Sequence, residues 1–311
     1  MRWSAGLRSR QSSRRTVEPP PLDAPSAHDL ALAQQLRDEI TSGNDTPTAG
    51  DYTEPAWGDN SKQLERLVMA QDPRSFLNWD IIRSSMFVAD AAYLDQELSF
   101  LRSNPEWATR WEPAVQERSA GNPPPFRNLP TSSGNLIHHA YHVAKFEVAT
   151  RLRVEQLDLV VEFGGGYGSM RRLLHNLGFR GTYIIHDLQP FTALQKYFLA
   201  AGGMDPNSTL FSTSLNDLGR TLDDRSDGGS SLLVGTWSVS EVPISLRESL
   251  VPLVQEFDSQ LLAYQDSFAG NDNVAFFHNW QNHFQHLTWC VERISHVPGN
   301  QRYAFGSKTP E

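Results

Sequence analysis

A cluster of glycines between a strand-like and a helix-like segment has the clearest chemical meaning in this sequence. Gly164, Gly165, Gly166 and Gly168 follow the apolar run Leu157 to Phe163. Glycine lets the backbone turn sharply and approach a ligand closely, where a Cβ would stand in the way. The segment therefore predicts a ligand-binding turn at the end of a strand.

Two carboxylates frame this turn. Glu162 precedes Gly164 by two residues, and Asp187 follows Gly168 by 19 residues, at the end of the next predicted strand. A carboxylate at that place can accept hydrogen bonds from both ribose hydroxyls of a nucleotide-like ligand. A strand, a glycine turn and an acid in this order predict nucleoside binding more specifically than a glycine cluster alone.

The position of Glu162 separates two classes of nucleoside ligand. A dinucleotide fingerprint G-x-G-x-x-G that begins at Gly164 would need a glycine where Ser169 stands. A carboxylate beside the turn would also repel a pyrophosphate, by about 4 kcal/mol at ~4 Å and an effective dielectric of about 20. The same carboxylate favours a ligand with an ammonium and a sulfonium group. The spacing E-x-G-x-G-x-G therefore predicts S-adenosyl-L-methionine as the cofactor.

Several short segments also carry a family resemblance, which covers roughly Phe126 to Ser307. They are Glu162 to Gly168, Tyr183 to Leu188, Gly235 to Pro243, and Thr131 to Asn135 before Tyr141 and His142. With these segments the sequence resembles the class I S-adenosylmethionine-dependent methyltransferases, and more narrowly the sugar O-methyltransferase family. The resemblance implies a seven-stranded sheet with helices on both faces.

The resemblance also implies roles for individual residues. Glu162 and the glycines would line the methionine end of the cofactor, and Asp187 would bind its ribose. The predicted cofactor-binding residues are Glu162, Gly164, Gly165, Gly166, Tyr167, Gly168, Asp187, Leu188 and Thr236. The implied acceptor is a hydroxyl of a sugar or sugar-containing metabolite, so the expected partner is a small molecule or a glycan.

Deprotonation of the acceptor requires a base, and two places in the sequence offer one. His138 and His142 share a helix face, with His139 between them. An imidazole with a pKa of about 6.5 can remove a hydroxyl proton as the methyl group moves. Glu241 follows the predicted strand Ser231 to Thr236, at the sheet edge where open α/β sheets bind ligands.

We select His142 and Glu241 as the candidate catalytic residues. The competing explanations are packing or surface histidines, and a solvated glutamate near a helix N-terminus. Two histidines one turn apart could also bind a metal with a third ligand. The glycine motif requires no metal, and none is predicted.

Alternating strand-like and helix-like segments predict the scaffold that positions these residues. The strands are predicted at 157–163, 182–185, 209–211, 231–236 and 260–265, and a closing hairpin at 288–296 and 301–307. A loop is predicted over 221–231. Strands that alternate with helices imply right-handed βαβ units and a parallel sheet, which the hairpin makes mixed. The predicted fold class is α/β, a Rossmann-like seven-stranded mixed sheet with helices on both faces, plus an N-terminal helical subdomain.

Helical periodicity dominates the first part of the chain. Helices are predicted at 27–40, 61–69 and 81–101, with a loop over 41–60. Trp107, Trp111 and Val115 are typical of another helix, which Pro113 would interrupt or kink. We therefore divide the chain into a disordered basic tail (1–27), a helical N-terminal subdomain (28–125) and a methyltransferase domain (126–311).

Composition limits the function classes. The 311 residues carry a net charge of −9, and 39% are hydrophobic. The acidic balance disfavours nucleic-acid binding, and the absence of a long apolar run disfavours a membrane span. The lone Cys290 excludes a disulfide framework, so a reducing, cytoplasmic location is expected.

The charge is unevenly distributed. Residues 1–20 contain five arginines against one glutamate, a net charge of +4, so the rest of the chain carries −13. An arginine- and serine-rich tail without acids before Glu18 is also typical of a mitochondrial transit peptide. The simpler interpretation is a disordered extension.

Two other functions compete with methyl transfer. An NAD-dependent oxidoreductase would share the strand, turn and acid, but Ser169 and Glu162 disfavour it. A non-catalytic Rossmann-like binding protein would keep the fold without the chemistry.

Overall fold

The computed structural model describes residues 17–43, 55–224 and 229–308. Most of the predicted basic tail therefore lies outside the described residues. The same holds for parts of the loops predicted over 41–60 and 221–231.

A seven-stranded mixed sheet forms the centre of the described structure. Its strands are β1 (Leu159–Phe163), β2 (Thr182–His186), β3 (Leu210–Ser212), β4 (Ser231–Thr236), β5 (Ser259–Gln265), β6 (Thr288–Arg293) and β7 (Gln301–Ser307). They lie in the order β6-β7-β5-β4-β1-β2-β3. β7 runs antiparallel to both of its neighbours, and the pairs from β5 to β3 are parallel.

The apolar side chains of the strands explain why helices cover both faces of the sheet. Successive residues of a strand point to opposite faces. Thus Val160 belongs to one apolar cluster, with helices α5 (Gly134–Thr150) and α6 (Ser169–Asn176), whereas Val161 belongs to another, on the opposite face. This arrangement confirms the predicted α/β, Rossmann-like fold class and its seven-stranded mixed sheet.

The remaining helices complete the two layers and the N-terminal helical region. They are α1 (Ala27–Gly43), α2 (Pro55–Ala70), α3 (Asp80–Ser85), α4 (Leu94–Arg102), α7 (Gln189–Ala201), α8 (Leu215–Asp223), α9 (Ile244–Val254) and α10 (Asn273–His283). Within the described residues, no helix is both long enough and apolar enough to cross a bilayer.

Short turns and hairpins connect these elements. The helical turns span Pro73–Asn78, Trp107–Trp111, Glu112–Ala114, Val154–Gln156, Pro206–Ser208 and Ser238–Glu241. Small antiparallel hairpins pair Pro125–Phe126 with Leu129–Ser133, and Ser267–Phe268 with Asn271–Asp272.

The prediction of one helix over 81–101 is wrong. Helix α3 ends at Ser85, and α4 begins only at Leu94. Between them the backbone N–H of Val88 donates to the Asn135 side chain at 3.1 Å. A Cβ on Gly134 would lie 2.4 Å from the Ala89 carbonyl oxygen, so the segment packs directly on the start of α5. Tertiary contacts therefore override the helical periodicity here.

Two predicted loops are shorter than expected. Helix α1 continues to Gly43 and α2 begins at Pro55, so both ends of the loop predicted over 41–60 are helical. Helix α8 likewise extends to Asp223, into the loop predicted from Thr221. Both predictions rested on polar and glycine-rich composition. Such residues are also found at helix ends, so the helices extend into the predicted loops.

The N-terminal helices pack directly on the sheet layer. Leu36 and Ile40 of α1 share an apolar cluster with Phe191 and Phe198 of α7. The Gln189 side chain donates to the Glu39 carbonyl oxygen at 2.8 Å, and Lys196 pairs with the Glu39 carboxylate at 2.9 Å. The division of the chain near residue 125 remains a prediction.

Candidate functional site

The predicted site lies beside β1, where successive strands of the chain stop adding to one side of the sheet and begin adding to the other. β1 pairs with β2 on one side and with β4 on the other. The helices that follow β1 and β4 cover opposite faces of the sheet. This opens a crevice at the carboxyl ends of the two strands, which is where open α/β sheets bind ligands.

The glycine turn has a backbone that suits only glycine at key positions. Gly164, Gly166 and Gly168 have φ values of +72°, +57° and +93°. A Cβ on Gly164 would also lie 2.4 Å from the Cβ of Ser238, which follows β4. The turn is thus held against the neighbouring strand end, at the mouth of the crevice.

Glu162 lies behind the turn rather than at its rim. Its side chain accepts a hydrogen bond from the Tyr183 hydroxyl at 2.8 Å, and the residue is 4% exposed. One carboxylate oxygen is 3.2 Å from the position that a Cβ on Gly165 would take. Burial raises the pKa of Glu162 to about 7, so a nearby cation would favour its ionised form.

Asp187 lies at the end of β2 and faces the glycine turn. Its carboxylate accepts hydrogen bonds from the Leu188 N–H at 2.8 Å and from the Gln195 side chain at 2.7 Å. Burial raises the pKa of Asp187 to about 7, against the opposing effect of these donors and of the Gly165 and Gly166 N–H groups.

Gln195 is a site residue that the sequence analysis missed. The same side-chain nitrogen that donates to Asp187 also donates to the Gly166 carbonyl oxygen at 3.0 Å. It therefore ties the turn to the carboxylate. The sequence gives little signal for it, because Gln195 stands directly before Lys196 on a helix that also carries Gln189.

Three other predicted cofactor residues have different environments. The Tyr167 ring is buried, and its hydroxyl accepts a hydrogen bond from Asn135 at 2.8 Å, so its side chain is part of the core. Leu188 is half-buried at the start of α7, beside Asp187. Thr236 is the last residue of β4, directly before Trp237.

The segment between α3 and α4 covers the turn. A Cβ on Gly166 would lie 3.7 Å from the Cβ and 3.8 Å from the sulfur of Met86. Asn135 links this segment to the turn, because it accepts from the Val88 N–H and donates to the Tyr167 hydroxyl.

His142 is buried deep in α5. Its Nδ1 is hydrogen-bonded to the Tyr303 hydroxyl, and its buried Nε2 has no hydrogen-bond partner among the described residues. Burial holds the pKa of His142 well below its usual value, with a smaller effect from neighbouring histidines. The imidazole is therefore neutral and enclosed.

His138, one helical turn earlier, has a different set of partners. Its Nδ1 is 2.9 Å from both carboxylate oxygens of Glu97, a residue with no exposed surface. His296 reaches the same carboxylate through Nε2 at 2.8 Å. On its other side the His138 ring stacks on Trp237, at a centroid distance of 5.7 Å and an interplanar angle of 20°.

Glu241 is buried at the same edge of the sheet. Its carboxyl group is hydrogen-bonded by the Trp57 side chain and lies 3.5 Å from the Gln265 amide. Burial raises the pKa of Glu241 to about 8, so the group keeps its proton near neutral pH. Within the described residues, no contact joins Glu241 to His142, although Trp237 lies beside His142 at 5.3 Å between ring centroids.

No group of three or more acidic, histidine or cysteine side chains in the described part of the chain is arranged to hold a metal ion.

Comparison with known proteins gives weak structural likenesses. A scan against protein-family models and a search of curated proteins find no match. Among solved structures, magnesium protoporphyrin IX methyltransferase from Synechocystis PCC 6803 with bound SAH is 12% identical, covering 55% of this chain and 83% of its own, at a TM-score of 0.39.

Two further solved structures are similar at the same level. Precorrin-6y C5,15-methyltransferase from Geobacter metallireducens is 12% identical over 60% of this chain and 94% of its own, at a TM-score of 0.36. The fibrillarin pre-rRNA processing protein from Methanococcus jannaschii is 8% identical. The match covers 51% of this chain and 70% of its own, at a TM-score of 0.38. Such scores carry no argument about ligand or reaction, and the fold assignment rests on the strand order given above.

Proposed function

We propose that this protein is an S-adenosyl-L-methionine-dependent methyltransferase. The observation that carries the proposal is the glycine turn at the strand-order reversal, with Glu162 behind it and Asp187 facing it from the next strand. A turn without side chains lets a nucleoside ligand approach the backbone, and two carboxylates suit a ligand with positive charge and a ribose.

The residues at the turn fit such a cofactor. The glycines form a cradle that a Cβ would fill, and Glu162 faces the methionine end of the ligand through the turn. Asp187 binds the ribose, which competes with the Gln195 side chain for the carboxylate. Leu188 and Thr236 complete the binding surface from α7 and β4.

The chemistry follows from positioning and proton removal. When bound, S-adenosylmethionine supplies an electrophilic methyl group on a sulfonium. The protein aligns the acceptor oxygen with that group, removes the hydroxyl proton and excludes water from the site. The candidate bases from the sequence are His142 and Glu241, but His142 is enclosed and Glu241 keeps its proton near neutral pH.

The acceptor is a hydroxyl group, and we propose a sugar or sugar-containing metabolite. The support for the sugar is the resemblance of the segments Tyr183 to Leu188 and Gly235 to Pro243 to the sugar O-methyltransferase family.

Calorimetry tests the cofactor. We expect binding of S-adenosylmethionine and of its demethylated product, S-adenosylhomocysteine, and no binding of NADH. Binding of NADH without either adenosyl ligand would overturn the proposal in favour of an oxidoreductase.

A transfer assay tests the reaction. Labelled S-adenosylmethionine is offered with a panel of monosaccharides, nucleotide sugars and small alcohols, and incorporation into a sugar is the expected result. Cofactor binding without transfer to any member of the panel would favour the non-catalytic binding protein.

A further inference from the structure

We infer that His138 is the general base for the acceptor hydroxyl and that Glu97 is the residue that positions it. The inference rests on the proposed function and assigns the proton acceptor within that same site. It moves the base one helical turn from His142, towards the glycine turn.

The hydrogen bonds fix which nitrogen of His138 accepts a proton. A carboxylate only accepts hydrogen bonds, so the Nδ1 that faces both oxygens of Glu97 must carry the hydrogen. The lone pair then lies on Nε2, on the side of the ring away from Glu97. A buried carboxylate also stabilises the imidazolium that forms when Nε2 takes a proton.

Glu97 is held in its ionised form. Burial alone would raise its pKa, but the paired rings of His138 and His296 hold the pKa of Glu97 below its usual value. Three aromatic rings also surround His138: that of Tyr93 at 5.5 Å, that of His142 at 4.1 Å and that of Trp237 at 5.7 Å.

His138 lies between two elements that touch the glycine turn. Asn135, one turn earlier on α5, donates to the Tyr167 hydroxyl within the turn. Ser238, next to Trp237, would meet a Cβ on Gly164 and donates to the Phe163 carbonyl oxygen. In the proposal, the acceptor enters at the edge of the His138–Trp237 stack, on the side that Ser238 joins to the turn.

Trp237 has the backbone geometry of a functional position. Its φ is +65°, which is unfavourable for a residue with a bulky side chain. The indole N–H donates to the Gln301 side chain at 2.7 Å, which fixes the ring over His138. The surrounding structure thus maintains a strained residue at the wall of the proposed acceptor site.

Methyl transfer moves one proton to His138 and leaves one electron pair on sulfur. The hydroxyl proton moves to Nε2 of His138 as the acceptor oxygen forms a bond to the methyl carbon. The methyl–sulfur bond breaks, and its electron pair stays on sulfur, so the positive sulfonium becomes a neutral thioether. The positive charge then lies on the imidazolium beside Glu97, until the proton passes to solvent.

Sinefungin provides a test that needs no acceptor. In this analogue of S-adenosylmethionine, a carbon that bears an amino group replaces the methylated sulfur. If Nε2 of His138 lies where the methyl group departs, that amino group donates to it. We expect sinefungin to bind about tenfold more tightly than S-adenosylhomocysteine, the size of one charge-assisted hydrogen bond.

His138→Phe keeps a ring against Trp237 but removes the proton acceptor, so it should abolish this preference. Glu97→Gln should weaken the preference while keeping a hydrogen-bond partner for His138, and it provides a second variant should the first fail to fold. The exposed His278→Phe is the matched control and should keep the preference. Affinity for S-adenosylhomocysteine should stay within about twofold in all three, since none contacts the turn.

The ratio of the two affinities separates a proton acceptor from a merely structural residue. Loss of a structural residue would weaken the binding of both ligands together, whereas loss of the proton acceptor should weaken the binding of sinefungin alone. Equal binding of the two ligands by the wild type, or a preference that survives in His138→Phe, would overturn the inference and leave the proposed function standing. Failure of the wild type to bind either ligand would overturn the proposed function itself.

Discussion

The proposed cofactor side and the proposed acceptor side of the crevice are built in different ways. The cofactor side consists of one continuous segment, Glu162 to Gly168, with Asp187 shortly after it. The acceptor side joins residues that are distant in sequence: Glu97 and His138 are 41 positions apart, and Glu97 and His296 are 199 apart. One side depends on backbone conformation, and the other depends on buried polar side chains.

Different changes should disrupt the two sides. A glycine turn fails when a side chain enters it, whereas a buried polar cluster fails when a charge or a hydrogen bond is lost. Steric changes should therefore act mainly on the cofactor side, whereas pH should act on the buried carboxyl groups of both sides, Glu162, Asp187 and Glu241. The following experiments test that distinction.

Gly166→Val should have the largest effect. A β-branched side chain at a φ of +57° is strained, and it would fill the cradle beneath the ligand. We expect S-adenosylhomocysteine affinity to fall by more than about 100-fold, or roughly 3 kcal/mol, in calorimetry. Gly270→Val is the control, since its φ is +87° and a Cβ there meets nothing within 4 Å. Equal loss in both variants would mean that strain, and not occlusion of the turn, causes the effect.

The pH dependence of stability should come next. A carboxyl group whose pKa is raised in the folded state stabilises the fold below its unfolded pKa and loses that contribution as the pH rises through the folded value. For Glu241, with a pKa of about 8, we expect the free energy of unfolding to decline by about 3 kcal/mol between about pH 5 and about pH 8. Glu241→Gln should reduce the decline by about that amount in urea titrations, while Glu162 and Asp187 still contribute to it, and the exposed Glu256→Gln should leave it unchanged. A decline that is unchanged in Glu241→Gln would show that this group does not cause it.

Asp187→Ala should reduce affinity for S-adenosylhomocysteine by about 1.5–3 kcal/mol, the value expected for charge-assisted hydrogen bonds to the ribose. Asp187→Asn, which keeps one acceptor oxygen, should lose less. Unchanged calorimetric affinity in the alanine variant would remove Asp187 from the ribose site.

Trp57→Phe should have the smallest effect. The variant keeps a ring against Phe191, at a centroid distance of 5.8 Å, but loses the side-chain donor to Glu241. We expect a loss of about 1 kcal/mol in the free energy of unfolding. In the Glu241→Gln background the loss should be smaller, and fully additive losses would argue against the contact.

The sheet and the glycine turn could be predicted from sequence because local signals encode them. Strand β4 was predicted over Ser231 to Thr236, as observed, since both faces of a buried strand are apolar. The glycine spacing likewise indicates positions with a positive φ, and this signal does not depend on tertiary contacts. This is why Gly164, Gly166 and Gly168 were found without knowledge of the contacts around them.

The acceptor side could not be predicted because its partners meet only after folding. The sequence shows His138 and His142 as equivalent members of one helix face. Only the folded chain gives His138 a carboxylate and His142 a tyrosine hydroxyl. The break between α3 and α4 has the same origin, because the contact of Val88 with Asn135 leaves no trace in the helical periodicity of residues 81–101.

The position of Met86 above Gly166 has a consequence for turnover. Under the proposed function, a nucleoside at the turn would contact this thioether side chain, so arrival of the donor and departure of the product would both depend on the stretch between α3 and α4. A methionine side chain can move readily, since it is unbranched and changes rotamer at little energetic cost. The turnover rate would then depend on how readily the neighbouring hydrogen bond between Val88 and Asn135 breaks.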